Sequence, residues 1–380
     1  MKLRILSWVG TGAVLLLLAG AVSWLVSLPS STPVTTQPAI GEDEARATLA
    51  ALRPPKRQRP LVAVVGINNA TETTDYLMPL GILRRAGVAD VMALATRPGP
   101  VTLMPALKVQ PDATTAEFDA RYPEGADYVV VPAMMPSDDP EVLRWINRQA
   151  ERHAIIIGIC AGAEVLGAAG LLDGRRATAH WYSLPGLRKA HPTMRYVADR
   201  RFVVDRGVAT TTGITASMPM MLTLIEAIAG REKAETVGRE LGLPAWDARH
   251  DSRAFALTRP FALTAAGNTL AFWRHQRLGI ALRPGMDEIA LALVADAWSR
   301  TFRSGAVTVS ATESAVRSRE GVLVLADGDG AGATPLPAPD NLPPVQALDE
   351  TLRAIGERYG ERTTDAVARQ LEYPRPATAR

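Results

Sequence analysis

The sequence predicts an α/β fold built on a doubly wound, mostly parallel sheet. Three observations carry this. Short apolar runs without alternation recur at residues 61–66, 91–95, 128–131 and 155–159, and unbroken runs of that length suit central parallel strands covered on both faces. Helical patterns separate them, over 76–86 and 140–153, the second with Pro140 in its first turn. The fourth run stops abruptly at Cys160, with Gly158 and Gly162 two residues away on either side. That G-x-C-x-G spacing is what a strand–turn–helix nucleophile elbow requires, because strand and helix pass close together and the turn residue is strained. A helix N-terminus beneath the sulfur would favour thiolate over thiol. The spacing alone equally fits a buried structural cysteine.

Composition narrows the function. The chain has 380 residues, 47% hydrophobic and 21% charged, enough for about two domains with a sizeable core. Its net charge of +3 comes from scattered arginines, with no dense basic run interleaved with aromatics, so no nucleic-acid partner is expected. One cysteine excludes an internal disulfide and any cysteine-based zinc site. Five histidines without an H-E-x-x-H or other paired spacing give no expectation of a metal or cofactor.

In chain order, residues 5–28 are almost uninterruptedly apolar, preceded by Lys2 and Arg4 and bracketed by Trp8 and Trp24. Residues 1–28 are therefore expected to be a transmembrane helix that anchors the body on the extracytoplasmic side; a signal peptide cleaved near Ala19-Gly20-Ala21 is the alternative. Residues 29–60, rich in Pro, Thr and Ser with a short acidic helix at 42–52, read as a linker. The main domain spans 61–240. Asp75 falls near the N-cap of the 76–86 helix. Residues 101–103 and 107–109 flank a hairpin, Asp205-Arg206-Gly207 is a second hairpin turn, and 213–230 is a helix.

The second half repeats the opening order of strand, loop, Asp, helix, strand and hairpin. Residues 277–282 answer to 61–66, Asp287 to Asp75, and 307–310 and 322–327 to the later strands. Residues 241–330 are thus expected to be a smaller, degenerate α/β half-repeat without a second elbow, packed against the first domain and either covering the site or imitating a dimer partner. Residues 331–344 read as a linker and 345–380 as C-terminal helices.

The main domain resembles the ThiJ/PfpI (DJ-one) family of the class I glutamine-amidotransferase-like superfamily. Gly158-Ile159-Cys160-Ala161-Gly162-Ala163 is similar to the family's G-I-C-[TA]-G-A elbow. The run from Ala169 through Leu172-Asp173-Gly174-Arg175-Arg176 to His180-Trp181 is similar to its A-G-L-L-D-G-R-R-A-T-T-H-W run, and Asp75-Tyr76-Leu77-Met78-Pro79-Leu80 to D-L-x-G-P-L. Amidase-like domains of AraC-type regulators and isocyanide hydratases are the nearest kinds, although no helix-turn-helix pair is visible here. The resemblance implies Cys160 as nucleophile or redox-sensitive thiolate, Asp75 as its carboxyl partner, His180 close to the sulfur, and backbone N–H groups of Ala161 and Ala133 as oxyanion donors. Two places depart from the pattern. Pro132-Ala133-Met134-Met135 stands where the family has P-G-G, and Met218-Pro219 stands where regulator-like relatives carry an acidic residue.

The expected function is a cysteine-dependent hydrolase or hydratase acting on a small molecule. A non-catalytic ligand or redox sensor, or a regulator-like domain without its DNA-binding part, stays open, as does homodimerisation.

Overall fold

The computed structural model describes residues 16–17, 19–32, 37–310, 313–337 and 342–374. Its centre is a seven-stranded sheet of β1 (Leu61–Gly66), β3 (Asp90–Ala95), β6 (Ala113–Thr114), β7 (Tyr128–Val131), β8 (Ile155–Gly158), β11 (Phe202–Asp205) and β12 (Val208–Thr211), in the order β11-β12-β8-β7-β1-β3-β6. Only β11–β12 is antiparallel; every other neighbour pair is parallel. All residues of β1, β7 and β8 are buried, as expected for strands covered on both faces.

One face carries α2 (Thr73–Ala86), α7 (Ser217–Ala229) and α8 (Arg231–Leu241), and the other α4 (Pro140–Glu151) and α5 (Gly162–Ala168). Helix α1 (Glu42–Ala51), inside the stretch read as linker, is docked on the fold. Arg200 pairs with Glu44 at 2.6 Å, and the Tyr128 hydroxyl donates to the Leu52 carbonyl.

The expected transmembrane helix is corrected by the structure. Among the described residues no helix is long and apolar enough to cross a membrane. Within the apolar run, residues 5–15 and 18 lie outside the described residues. The described helical stretch 19–27, at about 1.5 Å per residue, is less than half of a hydrocarbon core about 30 Å thick. Its C-terminal end is tied to the body: Arg259 donates to the carbonyls of Leu25, Val26 and Leu28.

Beyond the sheet, β13 (Gln276–Ala281), α10 (Glu288–Ser299), β14 (Ser304–Val309), β15 (Ala315–Arg317) and β16 (Leu323–Leu325) follow the element order of β1, α2, β3, β4 (Val101–Met104) and β5 (Lys108–Gln110). Starts at 276, 288, 304, 315 and 323 track 61, 73, 90, 101 and 108 at an offset constant to within one residue. The Gly-, Ala- and Pro-rich stretch read as linker contributes β17 (Thr334–Leu336), which pairs with β13. Helices α11 (Pro344–Tyr359) and α12 (Glu361–Gln370) close this part, and the chain then returns to the main domain at Leu371–Tyr373.

Candidate active site

Cys160 sits two residues past the end of β8, in the left-handed region at φ +56°. Both flanking glycines are there for space. A Cβ on Gly162 would stand 2.1 Å from the Val131 carbonyl oxygen, and one on Gly158 would meet Leu166 and Gly162 at 3.0–3.2 Å. The Cys160 N–H donates to Thr211 Oγ1 at 2.9 Å, so β12 also holds the turn. A non-glycine residue kept in this conformation costs of order 1 kcal/mol, and strained backbone of this kind clusters at active sites and ligand clamps.

Asp75 is brought to the same place by a shift of the helix start. The expected cap at Asp75 is replaced by Glu72, whose carboxylate accepts the Asp75 N–H at 2.6 Å, so α2 begins at Thr73. Glu72 itself ends β2 (Asn69–Glu72), a strand hidden in an Asn/Thr-rich stretch. Asp75 is fully buried. Its Oδ2 accepts the Ala133 N–H at 3.1 Å, and its Oδ1 has no hydrogen-bond partner among the described residues.

Burial, then the neighbouring Glu72 charge, push the Asp75 carboxyl well above the usual carboxylate range. The Cys160 thiol is also pushed well up, first by burial and then by the charges of Asp75 and Glu72, with Arg300 opposing. The expected thiolate-favouring helix end is a seven-residue helix, too weak to prevail over that desolvation. The two groups compete for one negative charge. A proton on Asp75 removes its repulsion of the sulfur, and a proton on sulfur lets Asp75 ionise.

The structure does not bring every expected residue to the sulfur. Ala133 is spent: its N–H goes to Asp75 and its carbonyl accepts the Glu72 N–H at 2.8 Å, so this segment is zipped onto β2 and the Ala133 N–H is not free to serve as an oxyanion donor. Met134 packs in the core on the opposite face of the sheet and Met135 is exposed, so neither plugs the site. Ala161 is the N-cap of α5, directly after the cysteine. His180 is buried with both ring nitrogens engaged elsewhere. Nδ1 accepts the Tyr182 N–H at 3.2 Å, and Nε2–H donates to the Gln370 carbonyl at 3.0 Å. That pattern fixes the neutral Nε2–H tautomer, and burial holds the imidazole pKa below its ordinary value.

Four further residues belong to the site. Arg300 lies 2.7 Å from both Glu72 and Asp296, facing the Cys160 pocket from the end of α10. Asp296 is fully buried, and desolvation raises its carboxyl. On the other side, Glu372 enters from beyond α12, accepts the Trp181 N–H at 2.8 Å and pairs with His250 at 3.3 Å. Burial alone would raise Glu372, but His250 and His180 hold it at about 2. No sequence motif announced these residues; each reaches the site from a distant element.

Cys160 is only 5% exposed. On the Glu372 side a cavity of about 300 Å³ is lined among others by Ala179, Trp181, Tyr196, Thr212, His250 and Glu372; neither Cys160 nor Asp75 lines it. Thr212 is buried, and its hydroxyl has no partner among the described residues. Among those residues no group of three or more His, Cys, Asp or Glu side chains is placed to hold a metal ion.

Residues 62–227 match the DJ-1/PfpI family. The chain carries a DJ-1/PfpI family domain. The same region is 30% identical over 155 residues to a helix-turn-helix-type transcriptional regulator of Pseudomonas aeruginosa, covering 41% of this chain and 39% of that one. It is 34% identical over 147 residues to the isonitrile hydratase of Pseudomonas putida, covering 37% and 60%. It is 28% identical over 183 residues to the Parkinson disease protein 7 homolog of Danio rerio, covering 46% and 93%. The match thus spans less than two thirds of the first two relatives. Among solved structures, a DJ-1 superfamily protein of Salmonella typhimurium aligns with TM-score 0.44 and 28% identity over 49% of this chain and 100% of its own. The Ala133 segment is where the DJ-1/PfpI domain of this chain departs most visibly from the expected site.

Proposed function

We propose that the DJ-1/PfpI domain is a cysteine-dependent enzyme of hydrolase or hydratase type acting on a small molecule. One observation carries this reading: a buried thiol held at positive φ shares its pocket with a buried carboxyl whose second oxygen is unpartnered. A structural cysteine needs neither feature. Asp75 takes the thiol proton, the sulfur forms a bond to an electrophilic carbon as a π pair of that multiple bond moves onto the substrate, and the protonated acid delivers the proton to the atom that holds that pair; water then adds at the same carbon, the C–S bond breaks, and the sulfur regains a proton from the water. The relative named isonitrile hydratase supports a hydratase. Turnover of isonitriles, nitriles and amides by the purified chain, compared with Cys160→Ser and Asp75→Asn, tests it. Activity retained in both variants removes it.

A second reading is favoured by the burial of the sulfur and the engaged Ala133 N–H. In that reading the domain is a ligand or redox sensor without turnover; one relative is named a transcriptional regulator. Mass spectrometry after mild peroxide separates the two. Cys160 oxidised in a chain with no turnover supports the sensor, and an unmodified Cys160 counts against it.

A further inference from the structure

The half-repeat and the main domain meet about a local two-fold axis. Strands β5 and β16 pair antiparallel with Val109 opposite Val324, Lys108 opposite Leu325 and Gln110 opposite Leu323, so equivalent strands exchange equivalent positions. Helices α2 and α10 face each other across the same axis. Each is capped by an acidic side chain, Glu72 in one and Asp287 in the other. At the far end of each helix an arginine crosses to the other helix's cap. Arg85 lies 2.7 Å from Asp287, and Arg300 lies 2.7 Å from Glu72. The position answering to Asp75 is Ala290, and Asp287 answers to Glu72, not to Asp75. The second lobe has no cysteine. The two arginines are thus one device used twice, and only Arg300 faces a reactive group.

We propose that the half-repeat takes the place of a second subunit and that Arg300 is the residue it delivers to the site, a positioning residue that engages Glu72 and Asp296 and leaves Asp75 and the sulfur to share the pocket's remaining negative charge. This rests on the reading of Cys160 as the reactive group. The charged groups facing the sulfur are Asp75, Glu72, Arg300 and Glu372, and those facing Arg300 are Asp296 and Glu72. Asp296 and Glu72 are nearly or fully buried. With the guanidinium gone, Glu72 would stand uncompensated among the charges facing the sulfur and oppose its ionisation.

Because the chain has one cysteine, thiolate absorbance in the ultraviolet, followed against pH with Cys160→Ala as blank, reports this sulfur alone. Arg300→Met is expected to raise the apparent thiol pKa by about one unit or more, and Arg300→Lys to stay near wild type. Arg85→Met removes the two-fold-related ion pair from the lobe without a cysteine. It is expected to lower the melting temperature to a similar degree while leaving the thiol titration where it was. Equal shifts in Arg300→Met and Arg85→Met, or a shift in neither, overturn the proposal and make Arg300 a clamp between lobes. If Arg300→Met does not fold, Glu72→Gln decides. A lowered thiol pKa supports the charge balance described, and an unmoved one overturns it. A wild-type thiol that never ionises over the accessible range strikes the reading of Cys160 itself; one that ionises but ignores Arg300 strikes only this inference.

Discussion

Glu372 occupies the space where a side chain on Gly213 would go: a Cβ built on Gly213 would lie 2.4 Å from that of Glu372. The C-terminal segment therefore fits the main domain only because residue 213 is glycine, and its insertion closes the pocket side of His180. Gly213 has ordinary extended backbone, φ −65° and ψ 180°, so alanine there is unstrained except by this contact. Gly213→Ala is expected to cost about 1–3 kcal/mol and to displace the segment. Faster alkylation of Cys160 at unchanged pH, alongside a lower melting temperature, checks it; slower or unchanged alkylation counts against the segment as the cover.

Asp75→Asn should separate stability from chemistry. The buried carboxyl has one oxygen without a partner and is repelled by Glu72. A neutral amide of the same shape can still accept the Ala133 N–H and relieves that repulsion. Folding stability is expected to hold or rise, while turnover falls by about 100-fold or more. Denaturant titration together with steady-state kinetics reads both.

Acid should act in two steps. The folded protein holds His180 neutral, with its pKa below the ordinary value. The unfolded imidazole takes a proton at about 6.5, so stability is lost as pH falls below that value. Glu372 sits at about 2 when folded, against an ordinary 4.5. Its contribution is fully present above about 4.5 and is lost as pH falls from there towards 2. Melting temperature against pH for wild type and Glu372→Gln checks this, and the lower step should disappear in the variant.

Gly162→Ala is expected to prevent folding or to cost more than about 3 kcal/mol. The added Cβ meets a backbone oxygen at 2.1 Å, and neither β7 nor the elbow can move aside without breaking the sheet. Expression yield and circular dichroism check it.

The parts legible in the sequence were those whose signal is local. β1, β7 and β8 are unbroken apolar runs, and the elbow shows itself through glycines that only close approach explains. Asp75 was found from its motif, but the cap that positions it was not, since Glu72 lies in a Thr-rich stretch with no apolar alternation to mark β2. Arg300, Asp296, His250 and Glu372 were missed because their roles exist only after elements far apart in the chain have packed. His180 shows the reverse: a motif placed it near the cysteine, and its nitrogens are taken by the Tyr182 N–H and by the Gln370 carbonyl of the C-terminal segment. The apolar N-terminal run matched the length of a membrane span, yet its described helical part is short and its end is fastened by Arg259.

The reciprocal arginines have a consequence for how such a protein can change. In two identical chains related by symmetry, a substitution is copied into both partners, so neither side can shed its acid or its sulfur alone. Here the two lobes are written separately in one polypeptide. One has kept Asp75 and Cys160 while the other carries Ala290, and the tether keeps them joined at any dilution.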